Sequence, residues 1–259
     1  MPRWCLFRGG EIAVERIDGR ASLPRGEAIA LSIDETKAHY VGMVEGEPCF
    51  AAALPEEQAL PAGAELLGLR PLILEGDEAV SGVAGLAFQV LEWERTHRYC
   101  GTCGKRTEAH GKERARKCTS CRQTYYPRIA PVVMGLVTRG RELLLTRKPG
   151  YKAGRYTVVA GFVEPGETLE HAVAREVQEE TGVAAANARY IGSQPWPFPN
   201  PLVMAFTLDY QSGEAKADGV ELEEARWFDV DDLPDLPERV HISRRLIEAA
   251  VARLTQGPA

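Results

Sequence analysis

At 259 residues, 44% hydrophobic and 26% charged, the chain has the make-up of an ordinary globular protein long enough for two domains. It has no apolar run of membrane-spanning length, no secretory pattern and no lipidation or peroxisomal signal in its final QGPA, so a soluble, intracellular protein is expected. The net charge of −6 argues against general affinity for duplex nucleic acid, yet Arg98 to Arg128 carries nine Lys/Arg against Glu108 and Glu113, which makes that stretch +7 and the rest −13.

Residues 1 to about 75 alternate short apolar stretches (LFRGGEIAV, YVGMV, CFAAAL) with turn residues, a pattern that predicts strands and then a short helix near 55–62; no catalytic motif stands there. From Asp77 to Thr96, Val80, Val83, Ala87, Val90, Leu91 and Trp93 recur at three- and four-residue steps, as in an amphipathic helix. Four of the six cysteines follow in CGTCG and CTSC. Cys100, Cys103, Cys118 and Cys121 form two two-residue knuckles, a spacing that suits four thiolates around a structural Zn²⁺, with Gly101 and Gly104 easing the turn. The Lys and Arg around them fit either a solvated surface or contact with phosphates.

Beyond the cysteines, 130–140 and 142–148 read as strands joined at Gly140, and 155–163 as a further strand. Thr168 to Thr181 reads as a helix closed by Gly182; strands at 202–210 and 225–230 and a helix at 243–254 follow. Between them SQPWPFPNP, residues 193–201, holds Pro195, Pro197, Pro199 and Pro201, which predict an extended loop carrying Trp196 and Phe198.

The helix carries the chemistry. Glu176, Glu179 and Glu180 stand at i, i+3 and i+4 and so share one face, where three like charges call for a cation; hard oxygen donors suit Mg²⁺ or Mn²⁺. With Gly161, Glu167, Arg175, Gly182 and Val183 they fill every specified position of GX5EX7REUXEEXGU, where U is aliphatic. The sequence therefore resembles the Nudix hydrolases, which cleave nucleoside diphosphates linked to another group. The resemblance implies Glu176, Glu179 and Glu180 as metal ligands and Arg175 and Glu167 as orienting groups. It makes Glu180 the first choice for the base and Glu221 its competitor.

HRYCGTCG, CTSC, YYPR, SQPWPFP and ARWFDVDDLP occur in the order found in the NADH pyrophosphatase branch of that family. This resemblance implies an α+β chain: an N-terminal α+β domain with linker helix over 1–95, a zinc ribbon over 96–127 and a Nudix α/β/α sandwich with mixed sheet over 128–259. It also implies a homodimer that splits NAD(H) or a related dinucleotide into nicotinamide mononucleotide and AMP, and that removes the NAD cap from RNA; the basic ribbon stretch is the expected RNA contact, and the missing signals make a cytoplasmic location the expectation.

By the same resemblance, Phe162 and Tyr126 sandwich a base, Tyr126 from the same subunit or a partner, and Trp196 lines the nicotinamide mononucleotide side by stacking or by shaping the pocket. Gln194 contacts substrate, Glu221 completes the metal site, and Ser243 opens a helix whose N-terminus faces an anion or a base edge. Pro201 departs from the family's usual serine and puts that part of the pocket in question. Charge reversal at Arg114, Arg116 and Lys117 is expected to harm only the RNA reaction. The competing assignment, a nucleic-acid or nucleotide-binding module with an inactive Nudix domain, predicts lost glutamates, and all are present.

Overall fold

A computed structural model describes residues 1–28, 30–75 and 77–256 of the chain. Two compact units emerge: Met1–Arg128 with Pro197–Asn200, and Ile129–Trp196 with the chain from Pro201 onward. The last three residues of the segment expected over 128–259 lie outside the described residues.

The first unit opens with strands β1 (Arg3–Arg8), β2 (Glu11–Ile17), β3 (Arg20–Ser22), β4 (His39–Val44), β5 (Glu47–Ala53) and β6 (Ala64–Gly68). They form one sheet in the order β3-β2-β1-β5-β4, with β6 on β2; β1 and β5 run parallel and the other pairs antiparallel. Alternation along β1 gives the sheet two apolar faces. Trp4 and Leu6 pack with Ala13, Ala52, Leu31 and Ile33, while Phe7 meets Phe88 of α2 (Glu78–Thr96) with ring centroids 5.6 Å apart. Asp77 caps α2 by accepting from Val80 N at 2.9 Å, as its N-cap position favours.

No helix forms at 55–62, contrary to the sequence expectation. Pro55 and Pro61 bracket too few residues to nucleate one, and the Gln58 amide instead holds Leu31 O and Ser32 O at 3.3 and 3.1 Å. The short helix is α1 (Leu69–Glu75), whose Pro71 lies in the first turn, where a missing N–H costs little. The ribbon adds β7 (Thr107–Ala109), β8 (Arg116–Cys118) and β9 (Thr124–Tyr125), paired in that order.

The second unit contains β10 (Ala130–Arg139), β11 (Glu142–Arg147), β12 (Val159–Phe162), α3 (Leu169–Thr181), β13 (Ala184–Pro195), β14 (Pro201–Ser212), β15 (Glu224–Asp229) and α4 (Ile242–Thr255). Its sheet runs β13-β14-β10-β11-β15, with β12 on β10; β10 and β14 are parallel. Alternate residues of the central strands face opposite helices. Val133, Val137, Leu144, Phe206 and Leu208 pack with Val173 and Val177 of α3, whereas Leu136, Leu143, Leu145 and Ala205 pack with Leu246 and Ile247 of α4. Gly135 lets α3 approach, because a Cβ there would stand 2.8 Å from Val173 Cγ2.

The expected strand over 155–163 narrows to β12, since Thr157 pairs instead with Thr146 and Tyr156 N donates to Asp235 O. The proline segment is also shorter than a loop over 193–201. Pro195 ends β13, an edge strand, and Pro201 is the first residue of β14, positions where a strand tolerates the lost donor. Trp196 N donates to Pro201 O at 2.8 Å and closes the connection.

Candidate active site

Helix α3 begins at Thr168, whose hydroxyl accepts from His171 N at 3.2 Å, and ends at Gly182 in the left-handed region (φ 70°). Arg175 spreads over its acidic face. Nε and Nη2 donate to the two oxygens of Glu167 (2.6 and 2.9 Å), Nη1 to Glu176 Oε1 (2.8 Å) and Glu179 Oε2 (2.9 Å), and Nη2 also to Phe162 O (3.1 Å). The guanidinium, aided by a bond from Glu164 N, pulls the Glu167 carboxyl down to about 2, and the carboxylates in turn raise Arg175. Gly161 has a steric role: a Cβ on it would overlap the Glu176 carboxylate.

Glu180 behaves differently. It is 3% exposed, and neither carboxylate oxygen has a hydrogen-bond partner. Burial pushes its carboxyl up to about 7; Lys148 opposes the rise, and Glu221, Glu176 and Asp218 add to it. Two buried acceptors without donors, among further carboxylates, fit a hard divalent cation, which would supply what the protein does not.

Glu221 is exposed on a loop that Asp218 organises. The Asp218 carboxylate accepts from the backbone N–H of Val220, Glu221 and Leu222, and Asp218 N donates to Glu180 O at 3.1 Å. Asp218 stands in no motif of the sequence analysis, and its only signal is Asp-Gly at 218–219, a turn signature, with Gly219 at φ 77°. Close backbone contact fixes the other end of the loop: a Cβ on Gly213 (φ 98°) would overlap Gly182 O.

Gln194 spans two backbone groups at the start of α4, accepting from Ile242 N and donating to Val240 O, both at 2.8 Å. Its amide therefore supplies the cap that His241 lacks. Ser243 is 4% exposed in the first turn, and Trp196 is half-buried with its ring centroid 5.0 Å from that of His241. Phe162 is 60% exposed in the second unit. Tyr126 is exposed in the first unit and donates to Glu113 Oε2 at 2.8 Å.

The four cysteine sulfurs all lie within 4.8 Å of one another. Thr102 N and Ser120 N each donate to a sulfur at 3.4 Å, and the Tyr125 hydroxyl, 3.0 Å away, is the main group drawing the Cys100 thiol down to about 5. A closed set of four sulfurs fits Zn²⁺. Of the two glycines, Gly104 alone needs positive φ, and Arg122 takes the matching place after Cys121. Arg116 is turned inward, to Glu94 Oε1 (2.7 Å) and to Thr107 Oγ1 and O (2.8 and 2.9 Å). Its reversal would unfasten the ribbon from α2 as well as change the surface charge.

Family models match three stretches: an NADH pyrophosphatase-like rudimentary NUDIX domain over residues 2–93, an NADH pyrophosphatase zinc ribbon domain over 95–126 and a NUDIX domain over 128–250. The chain is 46% identical to the NAD-capped RNA hydrolase NudC of Pseudomonas syringae pv. syringae, across 91% of this chain and 84% of that one. With the protein of the same name from Chromobacterium violaceum it shares 42% identity, covering 97% and 92%. A NUDIX hydrolase structure from Nitrosomonas europaea aligns with TM-score 0.52 at 24% identity, over 62% of this chain and 95% of that one, and shares the fold.

Proposed function

The chain belongs to the Nudix hydrolases, in the NADH pyrophosphatase-like branch with a zinc ribbon, and on that premise we propose that it hydrolyses the diphosphate bond of NAD(H) to nicotinamide mononucleotide and AMP. The same cleavage at the 5′ end of NAD-capped RNA leaves 5′-monophosphate RNA. The observation that carries the assignment is Glu180, a buried carboxylate with two unpartnered oxygens on the helix that also presents Glu176 and Glu179.

In this proposal Glu176, Glu179, Glu180 and Glu221 hold Mg²⁺ or Mn²⁺, which neutralises the diphosphate and activates water when bound. Arg175 and Glu167 keep the acidic face in position. Water attacks phosphorus, the bridging P–O bond breaks, and the water's proton passes to a carboxylate. Glu180 is the first candidate for that base, a buried carboxylate whose two oxygens have no protein donor; Glu221 is the second. Phe162 takes one face of a base, and a Tyr126, of this subunit or of a partner, takes the other; Trp196 borders the nicotinamide side, and Gln194 and Ser243 shape the start of α4.

We assign 1–95 to the N-terminal domain, 96–127 to the ribbon and 128–259 to the catalytic domain of a cytoplasmic homodimer. No helix among the described residues is long and apolar enough to cross a membrane. The test is incubation with NADH and with NAD-capped RNA in Mg²⁺ and in Mn²⁺, beside Glu180→Gln, with products separated by chromatography. Nicotinamide mononucleotide with AMP or 5′-monophosphate RNA, lost in the variant, is the expected result; binding without turnover in either metal would overturn it.

A further inference from the structure

Within the first unit lies a cavity of about 370 Å³ whose wall includes Trp93, His97, Tyr99, Tyr125, Arg128 and Asn200. Small-molecule pockets occupy roughly 300–1,000 Å³. Trp93 and His97 are one helical turn apart at the end of α2, with ring centroids 6.1 Å from each other, and His97 lies 6.0 Å from Tyr125 of β9. These three rings form one continuous aromatic wall. Tyr99 is different from a core aromatic: it is 60% exposed, with the Arg106 guanidinium 6.0 Å from its ring centroid.

The polar groups have complementary character. His97 Nδ1 contacts Trp93 O at 2.9 Å, a contact that requires Nδ1 to donate and leaves Nε2 as an acceptor in the neutral ring. Arg128 brings only donors, and its main chain is held by Asn200 Nδ2, which donates to Arg128 O at 3.1 Å. Glu92, also at the cavity, is paired with Arg95 at 2.6 and 2.8 Å, so its charge is compensated. The surrounding stretch is the +7 segment of an otherwise acidic chain.

We propose that this cavity takes one unstacked nucleobase of the single-stranded RNA that follows the cap, which extends the RNA side of the function proposed above. A base offers two flat faces for the aromatic wall and an edge with donors and acceptors for His97 and Arg128, while the neighbouring Lys and Arg meet phosphates. A base inside a duplex stack cannot enter, so the site selects single strands.

The experiment measures binding of a 3′-labelled, uncapped 5′-monophosphate RNA decamer to the full chain by fluorescence anisotropy, with each base in turn replaced by an abasic site. Tyr99→Ala is expected to weaken binding about 10-fold, within the range for loss of a stacked base, and Tyr99→Trp to restore it. One abasic position should reproduce the loss and add nothing in Tyr99→Ala, while hydrolysis of free NADH by that variant is unchanged. Equal losses at all abasic positions, salt-dependent binding indifferent to Tyr99→Ala, or a matching loss of NADH hydrolysis would overturn the site. Base-specific binding without cleavage of capped RNA would retain the cavity and remove the cap-hydrolysis assignment; cleavage without any base-specific effect would do the reverse.

Discussion

The two sheets of this protein follow one plan. In each, a first strand makes a hairpin with the second and runs parallel to a later strand that is itself paired antiparallel with its predecessor: β1, β2, β5 and β4 in the first, β10, β11, β14 and β13 in the second. Each is covered on one face by the helix that follows its strands, α2 or α4. The opposite faces differ. The second sheet carries α3 with its glutamates, whereas Leu31 and Ile33, from the loop that precedes the 3-10 turn Glu35–Lys37, pack on the opposite face of the first. The sheet plan is thus a frame that folds with or without chemistry, and the chemistry resides in one helix.

The sharpest way to break this contrast is to exchange one carboxylate in each place. Glu180→Gln should lower NADH hydrolysis by about 10³-fold, in the range of general-base and metal-ligand losses, while Glu35→Gln in the first sheet's turn leaves it within about twofold; steady-state rates on both variants decide it. Next in size is Gly161→Ala, which forces Glu176 aside and should cost about 10²-fold in kcat, with a melting temperature close to that of the parent. Should kcat survive, the overlap with Glu176 is not what the glycine is for.

Gly135→Ala tests the packing rather than the chemistry. It drives a methyl group into Val173 and Val177 and should destabilise by about 1–3 kcal/mol, read from urea unfolding.

A stability effect of similar size has the opposite sign. With no Mg²⁺ or Mn²⁺ added and the ribbon zinc left in place, Glu180→Gln should stabilise the protein by about 2 kcal/mol at pH 8, because it removes a buried charge without partners. The sign follows from the raised carboxyl: ionisation costs the fold most above about pH 7, and the cost fades as pH falls to the ordinary carboxylate range. Thermal melts at pH 5 and pH 8 separate the two regimes.

What the sequence discloses follows the strength of its periodic signals. α2, α3 and α4 announce themselves through apolar spacing, α2 and α3 also through their caps, and the cysteine knuckles through metal-ligand spacing alone. β13 escapes notice because AAANARYIGSQP lacks alternation; it is an edge strand with three register shifts and Asn187 at φ 56°. The helix expected at 55–62 does not form although the stretch holds EEQAL, good helix formers, because the flanking prolines and the contacts of Gln58 override propensity. Within the site, the box residues are visible, but the bracing of Glu221 by Asp218 and the use of Gln194 as a helix cap depend on contacts between distant segments.

The backbone contact between Gly182 and Gly213 has a consequence at the level of codons. Every single-base change that turns a glycine codon into another amino acid adds a Cβ, and at both positions the backbone lies at positive φ, where such a residue is strained. No conservative neighbour is one mutation away. Any single-base amino-acid change at the end of α3 or at the start of the loop bearing Glu221 therefore carries backbone strain, with no intermediate residue to soften it.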